Sequence, residues 1–137
     1  MSGPDVALAL RQPWVSIDND WPGTSPDGLP RILRKYVREE HQLTLEEAVR
    51  KFSALPAQRM RLADRGALKR GIWADVVIFD PARVRDPATF EKPSQLSAGM
   101  EYVLVNGAAV IDHDLMTGRR PGKVLRGARY RVRHDGG

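Results

Sequence analysis

Trp73-Ala74-Asp75-Val76-Val77-Ile78-Phe79-Asp80 has a β-branched and aromatic centre and is stopped by Pro81. That is the pattern of a strand, not a helix. Further on, Tyr102-Val103-Leu104-Val105 and Ala108-Ala109-Val110-Ile111 flank Asn106-Gly107. Two apolar runs separated by Asn-Gly predict a tight hairpin, because both turn residues must accept a positive φ. A further strand is expected at Lys123–Leu125, after Gly122. Residues 82–99 between the first strand and the hairpin contain Pro87 and Pro93 and end at Gly99. Loops of that length usually wrap something or carry function. All these strands follow Gly66, and they have no obvious partner sheet within the chain. A few strands with an apolar face need something to cover them.

The residues before Gly66 have a different period. Pro30 starts a helix, since proline at the first helical position loses no needed hydrogen bond. Ile32, Leu33, Tyr36 and Val37 form its apolar face, and Arg31, Arg34, Lys35, Arg38 and Glu39 mostly cover the other. Thr44 followed by Glu47 is a capping box. Leu45, Ala48, Val49 and Phe52 then recur at helical spacing, as a core stripe would. Pro56 opens a third, shorter helical piece through Arg61. Trp21 to Leu29, with Pro22, Gly23, Pro26 and Gly28, reads as a loop. The apolar patch Val6 to Leu10 is expected to be a short buried strand that leads through Pro13 towards polar residues. The order predicted is strand, two or three helices, then short strands, with no internal repeat.

The chain has 137 residues, too few for a barrel enzyme, which typically runs to about 250. Hydrophobic residues make up 42%, enough to bury a core. No apolar run approaches the roughly 18 residues of a membrane span, and no signal peptide is visible. A cytoplasmic location fits. Cysteine is absent, which removes disulfides, thiolate ligands and a cysteine nucleophile together. The net charge is +5, and much of the excess sits in Arg119, Arg120, Lys123, Arg126, Arg129, Arg131 and Arg133. Such a tail could touch phosphates. A solvated terminus explains it better, because no aromatic residues interleave with the cations to stack bases.

Candidate chemistry is sparse. His41, His113 and His134 form no His-x-His or His-x-x-x-His pair, and each is expected at the surface. No Gly-x-Ser-x-Gly, Walker-type or Gly-x-Gly-x-x-Gly loop is present. Asp18 and Asp20 follow an apolar segment and precede a loop. In an α/β barrel that position holds catalytic groups, and an aspartate there can ligate a metal or take a proton from its bound water. The structural alternative is a strand-end aspartate that accepts from loop amides.

Asp64-Arg65-Gly66-Ala67-Leu68-Lys69-Arg70-Gly71-Ile72-Trp73-Ala74-Asp75 leading into the first strand resembles the segment that ends amidohydrolase-superfamily enzymes. Val103-Leu104-Val105-Asn106-Gly107 is similar to the hairpin that follows it there. Tyr36-Val37-Arg38-Glu39, Leu45-Glu46-Glu47-Ala48-Val49-Arg50-Lys51, Leu55-Pro56-Ala57-Gln58-Arg59 and Pro121-Gly122-Lys123-Val124-Leu125-Arg126-Gly127 narrow the resemblance to N-acyl-D-amino-acid deacylases (D-aminoacylases). It covers nearly the whole chain, from about Asp5 to Gly127.

The resemblance implies zinc-assisted hydrolysis of an N-acyl amide to a carboxylate and a D-amino acid. It implies an α+β fragment: the last strand and helices of a (β/α)8 barrel at residues 1–62, then the C-terminal half of a small β-sandwich at 63–127, then a basic tail at 128–137. Pro13-Trp14-Val15-Ser16-Ile17-Asp18-Asn19-Asp20 resembles the last barrel strand. Asp20 matches the family's catalytic general base and metal-facing aspartate better than Asp18 does, with Asp18 as the alternative. The family's His-x-His and its later metal ligands are missing, and all but the last barrel strand lack a counterpart. Gly28-Leu29-Pro30-Arg31 runs straight into the helix where relatives carry substrate-side residues. One aspartate cannot hold a catalytic zinc, which needs about three protein ligands. The expectation is a truncated hydrolase, inactive alone and without stably bound zinc. Its expected partner is a barrel-bearing chain or another copy of itself, with no membrane or nucleic acid. The alternative is a non-enzymatic assembly module.

Overall fold

The computed structural model describes residues 3–18, 28–89, 91–93 and 95–126. A helical half is followed by one antiparallel sheet. Helix α1 (Gly3–Arg11) comes first, and α2 (Leu29–Arg31) runs directly into a π-helical stretch (Ile32–Glu39). Helices α3 (Leu45–Phe52) and α4 (Ala54–Arg59) follow. The strands are β1 (Val76–Ile78), β2 (Tyr102–Val105), β3 (Ala108–Asp112) and β4 (Leu115–Met116), paired in the order β1-β2-β3-β4.

The strand expected at Val6–Leu10 is a helix. Val6 and Leu10, four residues apart, both pack on the core, whereas Leu8 between them is 63% exposed. A strand would have put all three on one face. Alanine and leucine also favour the helix, and Asp5 and Arg11 suit its two ends. Residues 15–18 lie in no helix or strand.

The π-helical stretch is closed by Glu40 N–H donating to the Lys35 carbonyl at 2.8 Å. Its wide turn brings residues five apart together. Arg34 meets Glu39 at 2.8 Å, and Lys35 lies 3.7 Å from Glu40. His41 ends it in the left-handed region, with φ +51. Thr44 caps α3 by accepting from the Glu47 amide at 3.2 Å. The Glu47 carboxylate, expected to return to the cap, turns to Arg50 instead.

The core is built from Leu10, Ile32, Leu33, Tyr36, Leu43, Ala48 and Val84. The predicted faces of the second and third helical segments supply most of it. Arg38 ties the π-helical stretch to the β1–β2 connection by donating to the carbonyls of Pro81 and Val84 at 2.7 and 3.0 Å.

The strands pair with one another into a single sheet, and no second sheet lies among the described residues to cover it. Asn106 and Gly107, with φ +50 and +81, make the predicted two-residue turn, and Val105 pairs with Ala108. Val110 is the extra residue of a bulge, since Val103 faces Ile111 and Leu104 faces Ala109. The last strand is not at Lys123–Leu125. It is Leu115–Met116, joined to β3 by a second tight turn at His113 and Asp114, with φ +50 and +62. Only Val124 and Leu125 are apolar in the expected segment, and both stay exposed with no strand to pair with.

No residue of any strand is fully buried. Val77 and Ile78 are adjacent and therefore point to opposite faces, yet each is about half exposed. The sheet reaches the core only through its flanks, at Phe79 and Met100.

Candidate functional site

Two polar constellations stand out. The first surrounds residues 12–18, which end in Asp18. Lys51 on α3 is fully buried and donates from Nζ to the carbonyls of Gln12 and Val15, the latter at 3.1 Å. Its charge is balanced by Glu47 at 3.6 Å. Arg50 donates to the Pro13 carbonyl at 2.7 Å, and Arg59 on α4 donates to the Trp14 carbonyl and, at 2.7 Å, to Ser16 Oγ. The Ile17 amide donates to the Lys51 carbonyl at 3.1 Å. The Arg50 hydrogen bond holds the Glu47 carboxyl below its ordinary value, against a smaller opposing effect of burial.

The second constellation joins the segment that leads into β1 to the β2–β3 hairpin. Asp75 accepts from the Asn106 amide at 2.8 Å with one oxygen and from Arg65 with the other. Arg65 also donates to the Asn106 side-chain carbonyl, and the Asn106 side-chain amide donates to the Pro121 carbonyl at 2.7 Å. The Gly107 amide donates to the Ala74 carbonyl at 2.9 Å. Arg65 and Lys123 lie over the Trp73 ring, with centroid distances of 5.4 and 4.6 Å. Asp64, Gly71 to Ala74, Asn106 and Gly107 line a depression beside it. Asp75 and the Asn106 side chain each hold backbone, and Arg65 braces both of them, so this is a structural clasp. It explains the spacing of the Asp-Arg, Ala-Asp, Asn-Gly and Pro-Gly pairs in the sequence.

Asp18 is exposed at the end of its segment, and Asp20 lies outside the described residues. His41 follows the Glu40 cap of the π-helical stretch. His113 occupies the β3–β4 turn, its ring edge-on to Tyr102 with centroids 4.8 Å apart. His134 lies outside the described residues. Among the described residues no group of three or more His, Asp or Glu could hold a metal ion. Nor is any helix there long and apolar enough to cross a membrane. Sequence reading missed Arg50, Lys51 and Arg59. The one available signal was a lysine three residues from Ala48, beside the apolar stripe of α3.

This sheet-and-helix arrangement is that of a known hydrolase class. The chain matches the Amidohydrolase family over residues 2–111, and it belongs to that family. Within it, the chain is 54% identical over 96 residues to an N-acyl-D-glutamate deacylase of Alcaligenes xylosoxydans xylosoxydans, covering 70% of this chain and 20% of that protein. It is 39% identical over 132 residues to an N-acyl-D-aspartate deacylase of the same organism, covering 91% and 26%. A solved D-aminoacylase variant in complex with copper chloride superposes with a TM-score of 0.68 at 46% identity, covering 71% of this chain and 20% of that one. An N-acyl-D-glutamate deacylase from Bordetella bronchiseptica, complexed with zinc and a phosphonate inhibitor, superposes at 0.58 with 52% identity, covering 59% and 17%. The chain thus spans about a fifth to a quarter of the length of the curated relatives it matches.

Proposed function

We propose that this chain is a C-terminal portion of a zinc-dependent N-acyl-D-amino-acid deacylase, and that it hydrolyses no amide by itself. Residues 1–62 correspond to the last barrel strand and its helices, 63–127 to the second half of a small β-sandwich, and 128–137 to a basic tail. In the complete enzyme Asp20, or alternatively Asp18, moves the proton during hydrolysis of an N-acyl-D-amino acid. The barrel supplies the remaining metal ligands from elsewhere.

The observation that carries this reading is the pairing of a 54% match with a donor set that does not fit zinc. A catalytic zinc takes about three protein ligands, and the described residues bring no three candidates together. Calorimetric titration of zinc into the purified chain tests it. Only weak, non-saturating heats are expected. A one-to-one site of submicromolar affinity would overturn the proposal.

A second reading, an assembly module, is favoured by the uncovered sheet. Both faces of β1 are apolar and half exposed, and such a surface calls for a covering layer. That layer is a barrel-bearing chain or another copy of this one. Light scattering on the isolated chain decides between the two: the second-copy version requires a mass above that of one chain, and a strict monomer at high concentration removes it.

A further inference from the structure

Residues 12–17 form no ladder with any strand, yet the carbonyls of Gln12, Pro13, Trp14 and Val15 each accept a hydrogen bond from a cationic side chain. The donors are Lys51, Arg50 and Arg59, all from α3 and α4. Gln12 to Val15 make a turn closed by the Val15 amide donating to the Gln12 carbonyl at 3.2 Å, and without side-chain donors the carbonyls of Pro13, Trp14 and Val15 would be left to water or unsatisfied. Hydrogen bonds from charged donors are the stronger kind, and here they replace the missing neighbours. The opposite side of the segment is pinned as well. The Ile17 amide donates to the Lys51 backbone carbonyl, and the Ile17 side chain packs on the core.

We infer that Arg50, Lys51 and Arg59 are positioning residues: a carbonyl clamp that fixes the path of residues 12–17, the segment that leads into Asp18. Lys51 is the pivot, because it holds both ends of the Gln12–Val15 stretch and is itself wholly buried. Burial of its ammonium is tolerable only because two carbonyls and the Glu47 carboxylate surround it. Arg59 adds the Ser16 hydroxyl, one residue before the anchored Ile17. A role in aiming a catalytic carboxylate rests on the proposed assignment of Asp20 or Asp18. The clamp itself does not, and its test involves no hydrolysis, so either can fail alone.

Removing Lys51 would empty a fully buried site and risk unfolding the chain, so the two arginines carry the test. Amide hydrogen exchange is measured by NMR on the wild-type chain, Arg59→Gln, and the double variant Arg50→Gln/Arg59→Gln. The Ile17 amide should exchange about tenfold faster in the double variant, as loss of charged hydrogen bonds predicts. The amides of Ala48 and Ala57, inside α3 and α4, should stay within about twofold. The carbonyl carbon shift of Trp14 should move in Arg59→Gln and return partway in Arg59→Lys, which keeps one charged donor. An Ile17 rate unchanged in the double variant would overturn the clamp. So would equal acceleration of Ile17, Ala48 and Ala57, which would make the arginines general stabilisers of the fold.

Discussion

Asp75→Ala is expected to lower the unfolding free energy by about 3 kcal/mol, a large share of what a small domain possesses. The carboxylate holds the Asn106 amide on one oxygen and Arg65 on the other. Arg65 is only 10% exposed, so deleting Asp75 strands a nearly buried guanidinium. It also frees the Asn106–Gly107 turn from the strand that Asp75 introduces. Burial by itself would raise the Asp75 carboxyl; the Asn106 amide and Arg65 reverse that and leave it below 3.8. A carboxyl depressed in the folded state stabilises fully above its unfolded value and loses that contribution as pH falls through the folded one. The gap between wild type and Asp75→Ala should therefore be widest above pH 3.8 and narrow on further acidification. Urea melts at several pH values measure this. A loss well under 1 kcal/mol at neutral pH, roughly a surface substitution, would show that the clasp does not hold the hairpin to the segment before β1.

Gly99→Ala should be of similar size, about 3 kcal/mol. Gly99 has φ +85, a region that side chains rarely adopt. A Cβ there would lie 2.8 Å from the Arg83 carbonyl carbon and from the Val84 Cα and nitrogen. These are backbone atoms, and Val84 is fully buried in the core, so neither side can yield. The bridge between Arg85 and Ala98 runs beside this contact and would open with it. Gly107→Ala is the matched control. It has φ +81 but open space around its Cβ position, so only the conformational strain of about 1 kcal/mol should appear. Thermal unfolding of both variants tests the pair. Equal losses would mean that the Gly99 contact is not tight.

The sequence carried the sheet hairpin and two helical faces clearly, because their signals are local. Asn106-Gly107 can hardly make anything but a two-residue turn between apolar runs. Ile32, Leu33 and Tyr36 recur at the spacing that buries them. Val6–Leu10 was misjudged because a short apolar run fits either period, and only the exposure of Leu8 distinguishes them. The His113-Asp114 turn gave little warning, since aspartate and histidine adopt positive φ less often than glycine. The clamp was hidden for a different reason. The carbonyl partners of Arg50, Lys51 and Arg59 lie more than thirty positions away and meet them only once α3 and α4 have folded against the segment of residues 12–17. Of the candidate site, family membership was legible, and so was the lack of histidine pairs. The placement of Asp20 was not, since it depends on residues 19–27, outside those described.

Hydrolysis by the purified chain, with zinc added, is the most direct measurement. The substrates are N-acetyl-D-glutamate, N-acetyl-D-aspartate and an N-acetyl-D-amino acid with an apolar side chain, and release of the free amino acid is followed. The predicted result is no turnover above zinc and buffer alone for any of the three. Turnover by the isolated chain that disappears in Asp20→Ala would contradict the central claim, because it would show that a complete catalytic site exists within these 137 residues.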